Sequence, residues 1–199
     1  QSTFNAQCRV SINEVCDEDW EESWKQYYHT FRIGQRLVIK PSWEEYQLRD
    51  GDVLIDIDPG MAFGTGNHAS TRFCLNFIDQ YVKSGASLID AGCGSGILSI
   101  AAAKLGAKKI FAMDFDDVAV RIARENVRLN ALEEIIQAEV GDIVKDLPEG
   151  EVDYILANIT AEVINLLIPE AVKRLAPGGY MFCSGIIESR WPGVQKQLE

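Results

Sequence analysis

The chain has 199 residues, 47% of them hydrophobic, enough to bury a core and to form one ordinary domain with an additional arm. Thirty acidic against nineteen basic side chains give a net charge of −11, which disfavours nucleic acid as a partner and would attract a basic protein. Apolar runs such as Ile97 to Leu105 fall short of the roughly 20 residues that cross a bilayer, and no signal-peptide pattern opens the chain; five cysteines without CxxC spacing or histidine partners argue against a metal site and fit free thiols in a reducing cytoplasm.

The first 60 residues read as an arm. A short strand candidate, Arg9 to Val15, precedes Asp17-Glu18-Asp19, which opens a helix whose Trp20, Trp24 and Tyr27 recur at three-to-four spacing. Such a stripe ordinarily packs a surface helix onto a domain. We therefore expect an irregular arm over 1–16, a linker helix and strand over 17–50, and the main domain over 51–199. The run Leu54 to His68 has too many glycines for a helix and too specific a mixture for a linker, and Gly60, Gly64 and Gly66 imply a loop that closes over something. Phe63 is placed to cover a ligand or an amine, and Thr71 on the following helix to offer it a hydroxyl. His68 reads as a general base or, more commonly for a lone histidine beside a glycine loop, as a structural hydrogen-bonding group.

From Ser84 onward strand-like and helical patterns alternate: Ser87–Ala91, a helix from Ile97, Lys109–Asp114, a helix from Asp116, Ile135–Val140, Val152–Asn158, a helix from Ala161, and Tyr180–Ser184. This is the signature of an α/β fold, a mostly parallel doubly wound sheet with helices on both faces. Gly106, Asn130 and Pro177-Gly178-Gly179 stand where the helices are expected to stop. The last strand would be an unprotected edge, so we expect a C-terminally truncated sheet.

Within this frame Asp90-Ala91-Gly92-Cys93-Gly94-Ser95-Gly96 is a turn from a buried strand into a helix, with glycines at alternate positions so that the backbone can approach a ligand closely. Dinucleotide binders use G-x-G-x-x-G, but Ile97 occupies the sixth position. A carboxylate at Asp90 is wrong beside a pyrophosphate and right for the amino group of S-adenosylmethionine. Asp114, at the end of the next strand, has two oxygens for the ribose hydroxyls or serves as a helix cap. Asp142 reads equally as a partner for the adenine amine and as a turn residue. Asn158 ends its strand on the same carboxyl edge, where its carbonyl and the Ile159 main-chain oxygen can accept hydrogen bonds from a neutral amine; the alternative is a cap for the helix from Ala161.

Asp58 to His68, Asp90 to Gly96 and Asn158-Ile159 together resemble a bacterial family of methyltransferases that modify ribosomal protein L11. Trp24-Lys25, Ile33-Gly34 and Pro41-Ser42-Trp43-Glu44 resemble that family's linker between its recognition and catalytic domains. Departures are Ala69 and Ser70 for proline and threonine, Thr160 for an aliphatic residue, and Met61 for leucine. The resemblance implies a Rossmann-like class I methyltransferase with seven strands in the full family, the last two absent here, and residues 1–16 as a remnant of the recognition domain. It implies S-adenosylmethionine as cofactor, contacted by Thr71, Gly92, Asp114 and Asn158; the reading of the turn and strand ends above adds Gly94, Gly96, Asp90 and Asp142 to that set. It further implies lysine side-chain and N-terminal amines of L11 as acceptors, with Asn158, Ile159 and Phe63 at the reaction centre. A monomeric cytoplasmic enzyme, with no metal and no nucleic-acid or membrane partner, is expected. The alternatives are a related N-methyltransferase acting on another protein or small-molecule amine, and a non-catalytic S-adenosylmethionine-binding module.

Overall fold

The computed structural model describes residues 27–58 and 64–199. Three short strands, β1 (Phe31–Ile33), β2 (Leu37–Lys40) and β3 (Val53–Asp56), form a small sheet in which β2 pairs antiparallel with β1 and parallel with β3. Helix α1 (Ala69–Tyr81) then leads into β4 (Ser87–Ala91), α2 (Ile97–Lys104), β5 (Lys109–Asp114), α3 (Asp117–Leu129), β6 (Ile136–Val140), β7 (Val152–Asn158), α4 (Ala161–Val172), β8 (Leu175–Ser184) and α5 (Trp191–Leu198). The five later strands form a parallel sheet in the order β6-β5-β4-β7-β8.

Period-two alternation decides which face each strand residue takes. Leu88, Ile110, Ala112, Ile136, Tyr154 and Leu156 belong to a core shared with α1, α2 and α3. Ile89, Ala91, Met113, Ile155 and Ala157 belong to a second core closed by Leu167 and Ala171 of α4. A strand covered on both faces is buried along its length, as β4 is from Leu88 to Ala91, and the α/β alternation expected from the sequence is the observed fold. The chain runs outward from β4 through β5 to β6, then returns to β7 on the other side. Order therefore reverses between β4 and β7, the crevice where open α/β sheets take ligands.

Several details differ from the expectations. The small sheet straddles residue 51, and Leu37, Ile39 and Ile55 share one core with Leu75, Ile78 and Ile97, so the boundary drawn there separates two strands of one sheet. Arg9 to Val15, Trp20 and Trp24 lie outside the described residues; Tyr27 is exposed, and its neighbour Tyr28 is the buried aromatic, donating its hydroxyl to the Thr65 carbonyl at 2.6 Å. Pro177-Gly178-Gly179 does not end a helix. It sits inside β8, where the register jumps from Val152↔Leu175 to Tyr154↔Tyr180, because proline lacks a ladder donor and glycine accepts the bend. Helix α5, for which the sequence raised no expectation, packs Val194 against Ile164 and Ile168 of α4. Among the described residues no helix is long and apolar enough to cross a membrane.

Candidate functional site

The turn after β4 is built for close approach. Gly92, Gly94 and Gly96 have φ of +80°, +52° and +80°, a region that side chains disfavour. Gly92 N–H and Cys93 N–H both donate to the Met113 carbonyl (2.8 and 3.0 Å), and Gly94 N–H to Asp114 Oδ2 (3.0 Å). A Cβ on Gly92 would run into the Ile159 side chain, and one on Gly96 would lie 3.2 Å from Ala123 of α3. Gly92 thus keeps the ligand side open, whereas Gly96 serves helix packing.

Asp90 is fully buried behind this turn. Helix α2 starts at Gly96, which has no side chain to cap it, and Asp90 Oδ2 takes that place by accepting from Ser99 N–H (3.2 Å) and Ser99 Oγ (2.6 Å). Its other oxygen has no partner within the protein. Burial outweighs the Ser99 hydrogen bonds and pushes the carboxyl up to about 6.

A cavity of about 640 Å³ opens at the carboxyl ends of these strands, lined among others by Gly92, Gly94, Asp114, Asp142, Asn158 and Ile159. Six of the expected residues therefore meet there. Thr71, Asp90 and Gly96 lie behind it, and Phe63 lies outside the described residues. Asp116 caps α3 by accepting from Val118 N–H, which frees Asp114 from that role; the Asp114 oxygens accept from Gly94 N–H and Asp116 N–H (3.1 Å), each keeping further acceptor capacity. Asp142 holds its own turn through Val144 N–H (2.9 Å) and Lys145 Nζ (2.7 Å). The hydrogen bond to Lys145, first, and that to Val144 hold its carboxyl below the usual range.

Asn158 is not the cap of α4; that position is Thr160. Its Nδ2 instead donates to Thr71 Oγ1 at 3.2 Å, and its buried Oδ1 has no partner within the protein. Thr71 thus reaches the site through Asn158. His68 takes the structural alternative, capping α1 with Nδ1 accepting from Ser70 N–H. Ser95 Oγ donates to the Gly64 carbonyl (2.7 Å), so the second glycine segment does meet the first. Sequence reading missed Phe115, which is 84% exposed on the cavity wall directly after Asp114, and Ser99, the partner of Asp90. An aromatic next to an acid at a strand end was a usable signal; the Ser99 contact, nine residues along, was not. Among the described residues Cys74, Cys93 and Cys183 are free, and no cluster could hold a metal ion.

The cavity fits S-adenosylmethionine on its donor set. Among the described residues it is lined by carboxylates, Asn158, Thr160 and apolar groups without a lysine or arginine, which is wrong for a pyrophosphate and suits a nucleoside with an apolar rim. A doubly wound sheet with this turn and an acid on the neighbouring strand defines the class I S-adenosylmethionine-dependent methyltransferases, and a solved S-adenosylmethionine-dependent O-methyltransferase from Thermotoga maritima shares the fold (TM-score 0.55, 25% identity, 63% of this chain and 47% of that one). Within that class the chain belongs to the family described as Ribosomal protein L11 methyltransferase (PrmA), which matches residues 1–199.

Relatives bear the same description. The ribosomal protein L11 methyltransferase of Syntrophomonas wolfei subsp. wolfei is 66% identical over 199 residues, all of this chain and 65% of the relative. That of Caldanaerobacter subterraneus subsp. tengcongensis is 49% identical over 193 residues, 96% of this chain and 61% of the relative. The chain thus spans less than two thirds of these relatives. The crystal structure of a ribosomal protein L11 methylase from Lactobacillus delbrueckii subsp. bulgaricus superposes with a TM-score of 0.79 at 37% identity, covering 86% of this chain and 87% of that one.

Proposed function

We propose that this chain carries the catalytic part of a protein methyltransferase that transfers methyl groups from S-adenosylmethionine to lysine side-chain and N-terminal amines of ribosomal protein L11. The observation that carries the reading is Asn158: Thr71 holds its Nδ2, and its buried Oδ1 is left without a partner at the edge of the cavity that Gly92 lines.

S-adenosylmethionine, when bound, supplies a methyl group already electrophilic on its sulfonium, so the protein's tasks are to orient the nucleophile and exclude water. Gly92 and Gly94 give the backbone approach, Asp114 offers acceptors to the ribose, and Phe115 offers an apolar wall. Asp142 extends the polar side toward the adenine, and the free oxygen of Asp90 suits an ammonium group. Lysine needs more. With a reference pKa of about 10.4, its deprotonation at pH 7 costs about 5 kcal/mol, which partial desolvation and proton loss to solvent supply. Asn158 Oδ1 and the Ile159 carbonyl, acceptors both, then hold the N–H groups of the neutral amine and aim its lone pair. Phe63 belongs to this proposal as a cover for the amine. The acidic surface suits a basic protein substrate, and a monomer acting in the cytoplasm without nucleic acid or membrane completes the reading.

The test is transfer of label from a radiolabelled methyl donor to ribosomal protein L11 by the full-length protein. Asn158→Ala is expected to abolish transfer while the fold persists, and unchanged turnover would refute the assignment. Label on other amines but not on L11 would identify a related N-methyltransferase. No label on any amine, with S-adenosylhomocysteine still bound, would identify a binding module.

A further inference from the structure

Three of the five residues from Gly92 to Gly96 are glycines in the left-handed region, so the loop has little of its own to hold one shape. Its first half is fixed by β5, through the Met113 carbonyl and the Asp114 carboxylate. The second half has another anchor. Asn126 of α3, only 1% exposed, donates from Nδ2 to the Ser95 carbonyl at 2.9 Å, while its Oδ1 accepts from Asp58 N–H at 2.9 Å. One buried carboxamide, satisfied at both ends, joins the cofactor loop to the residue where the chain leaves the small sheet.

The geometry points to Asn126 as a positioning residue for cofactor binding: it holds the Ser95 peptide, and with it the Gly94–Gly96 backbone, in the shape the ligand meets. The inference rests on the reading of this loop as the S-adenosylmethionine site. Asn126 does not line the cavity, its side-chain hydrogen bonds go to Ser95 and Asp58, and it acts through Ser95. The same helix supplies an internal control. Asn130, one turn on and also buried, grips the same exit from the small sheet by accepting from Asp56 N–H (3.1 Å) and donating to the Asp56 carbonyl (2.7 Å); it also donates to the main-chain carbonyl of Asn126 (2.8 Å) but makes no hydrogen bond to the cofactor loop or to the Asn126 carboxamide. A merely structural role would make the two asparagines equivalent.

The experiment compares S-adenosylhomocysteine affinity, by titration calorimetry, with thermal stability for the full-length protein and its variants. Asn126→Ala is expected to weaken binding about tenfold, the size of a lost buried hydrogen bond, and Asn130→Ala to lower Tm comparably with the Kd unchanged. Asn126→Asp keeps the shape and the acceptor for Asp58 N–H but faces the Ser95 carbonyl with an oxygen; it is expected to weaken binding likewise, and it carries the test if the alanine variant does not fold. Wild-type affinity in both Asn126 variants, or an equal loss in Asn130→Ala, would overturn the inference alone. No binding by the wild-type protein would overturn the cofactor reading, and the inference with it.

Discussion

Replacing Asp90 by asparagine is expected to stabilise the protein near neutral pH while weakening its hold on S-adenosylmethionine. The carboxyl is completely buried and pushed up from its ordinary 3.8 to about 6, chiefly by loss of hydration. The folded protein therefore holds this proton more tightly than the unfolded chain does. Between pH 3.8 and about 6 the folded state carries more bound protons, so stability falls as pH rises through that window, and above it the full penalty of a buried charge remains. At 1.36 kcal/mol for each tenfold difference in proton affinity the penalty is about 3 kcal/mol, with no discount for solvent screening because the group is buried. Asparagine keeps an acceptor for Ser99 but sets an amide N–H where Oδ1 now has no partner, which returns about 1 kcal/mol. A net gain of about 2 kcal/mol at pH 8 is expected, shrinking to less than about 1 at pH 5 as wild-type Asp90 takes up its proton. Urea denaturation at a series of pH values measures both, and S-adenosylhomocysteine titration follows affinity. A variant less stable than wild type at pH 8, or a gain that does not change with pH, would refute the reasoning.

Gly92→Ala places a methyl group against Ile159 at a φ of +80°; left-handed strain of about 1–2 kcal/mol should lower Tm, and displacement of Ile159 in the cavity wall is expected to weaken S-adenosylhomocysteine binding more than about tenfold, which calorimetry checks. Phe115→Ala removes an exposed ring, so Tm should move by less than about 2 °C while the same titration shows a several-fold weaker Kd. Glu44, held down to about 2 by hydrogen bonds from Thr30 and His29, contributes stability that is present above its ordinary 4.5 and lost as pH falls toward 2. Glu44→Gln should therefore lower Tm at pH 7 and flatten the acid limb of a Tm-against-pH series, and an unchanged limb would remove that assignment.

The sequence made β4 to β8 and their helices legible because the strands carry apolar residues in short runs or in alternation and the helices between them are longer segments with stop signals such as Gly106 and Asn130; four of those five strands match within a residue, and β8 extends five residues further upstream. It failed where register or distant partners decide. The bulge in β8 depends on the register with β7, which Pro177-Gly178-Gly179 does not announce. The small sheet was illegible because its three-to-four-residue strands are too short for a period, and the side chains that tie the end of β3 and its exit to α3, Asn126 and Asn130, lie more than 60 residues away.

The same distinction sorts the candidate site. Gly92, Asp114 and Asn158 could be read because each lies at or just past the end of a strand on one edge of the sheet, so topology alone brings them together. Asp90 was assigned a ligand from its charge, yet half of its hydrogen-bonding capacity goes to Ser99 and the uncapped start of α2. That dual use explains how a fully buried carboxylate can be retained. One oxygen secures the helix that follows the glycine turn and the other remains free, so the Ser99 hydrogen bonds offset part of the cost of burying the carboxylate. Asp114 divides its labour similarly, with one oxygen on Gly94 and one on Asp116, so a change at either acid should disturb the loop as well as the ligand. Loss of affinity in an Asp114 variant therefore does not by itself identify a ribose contact, whereas Phe115 and Asn126, each acting on a single side of the site, separate the wall from the scaffold.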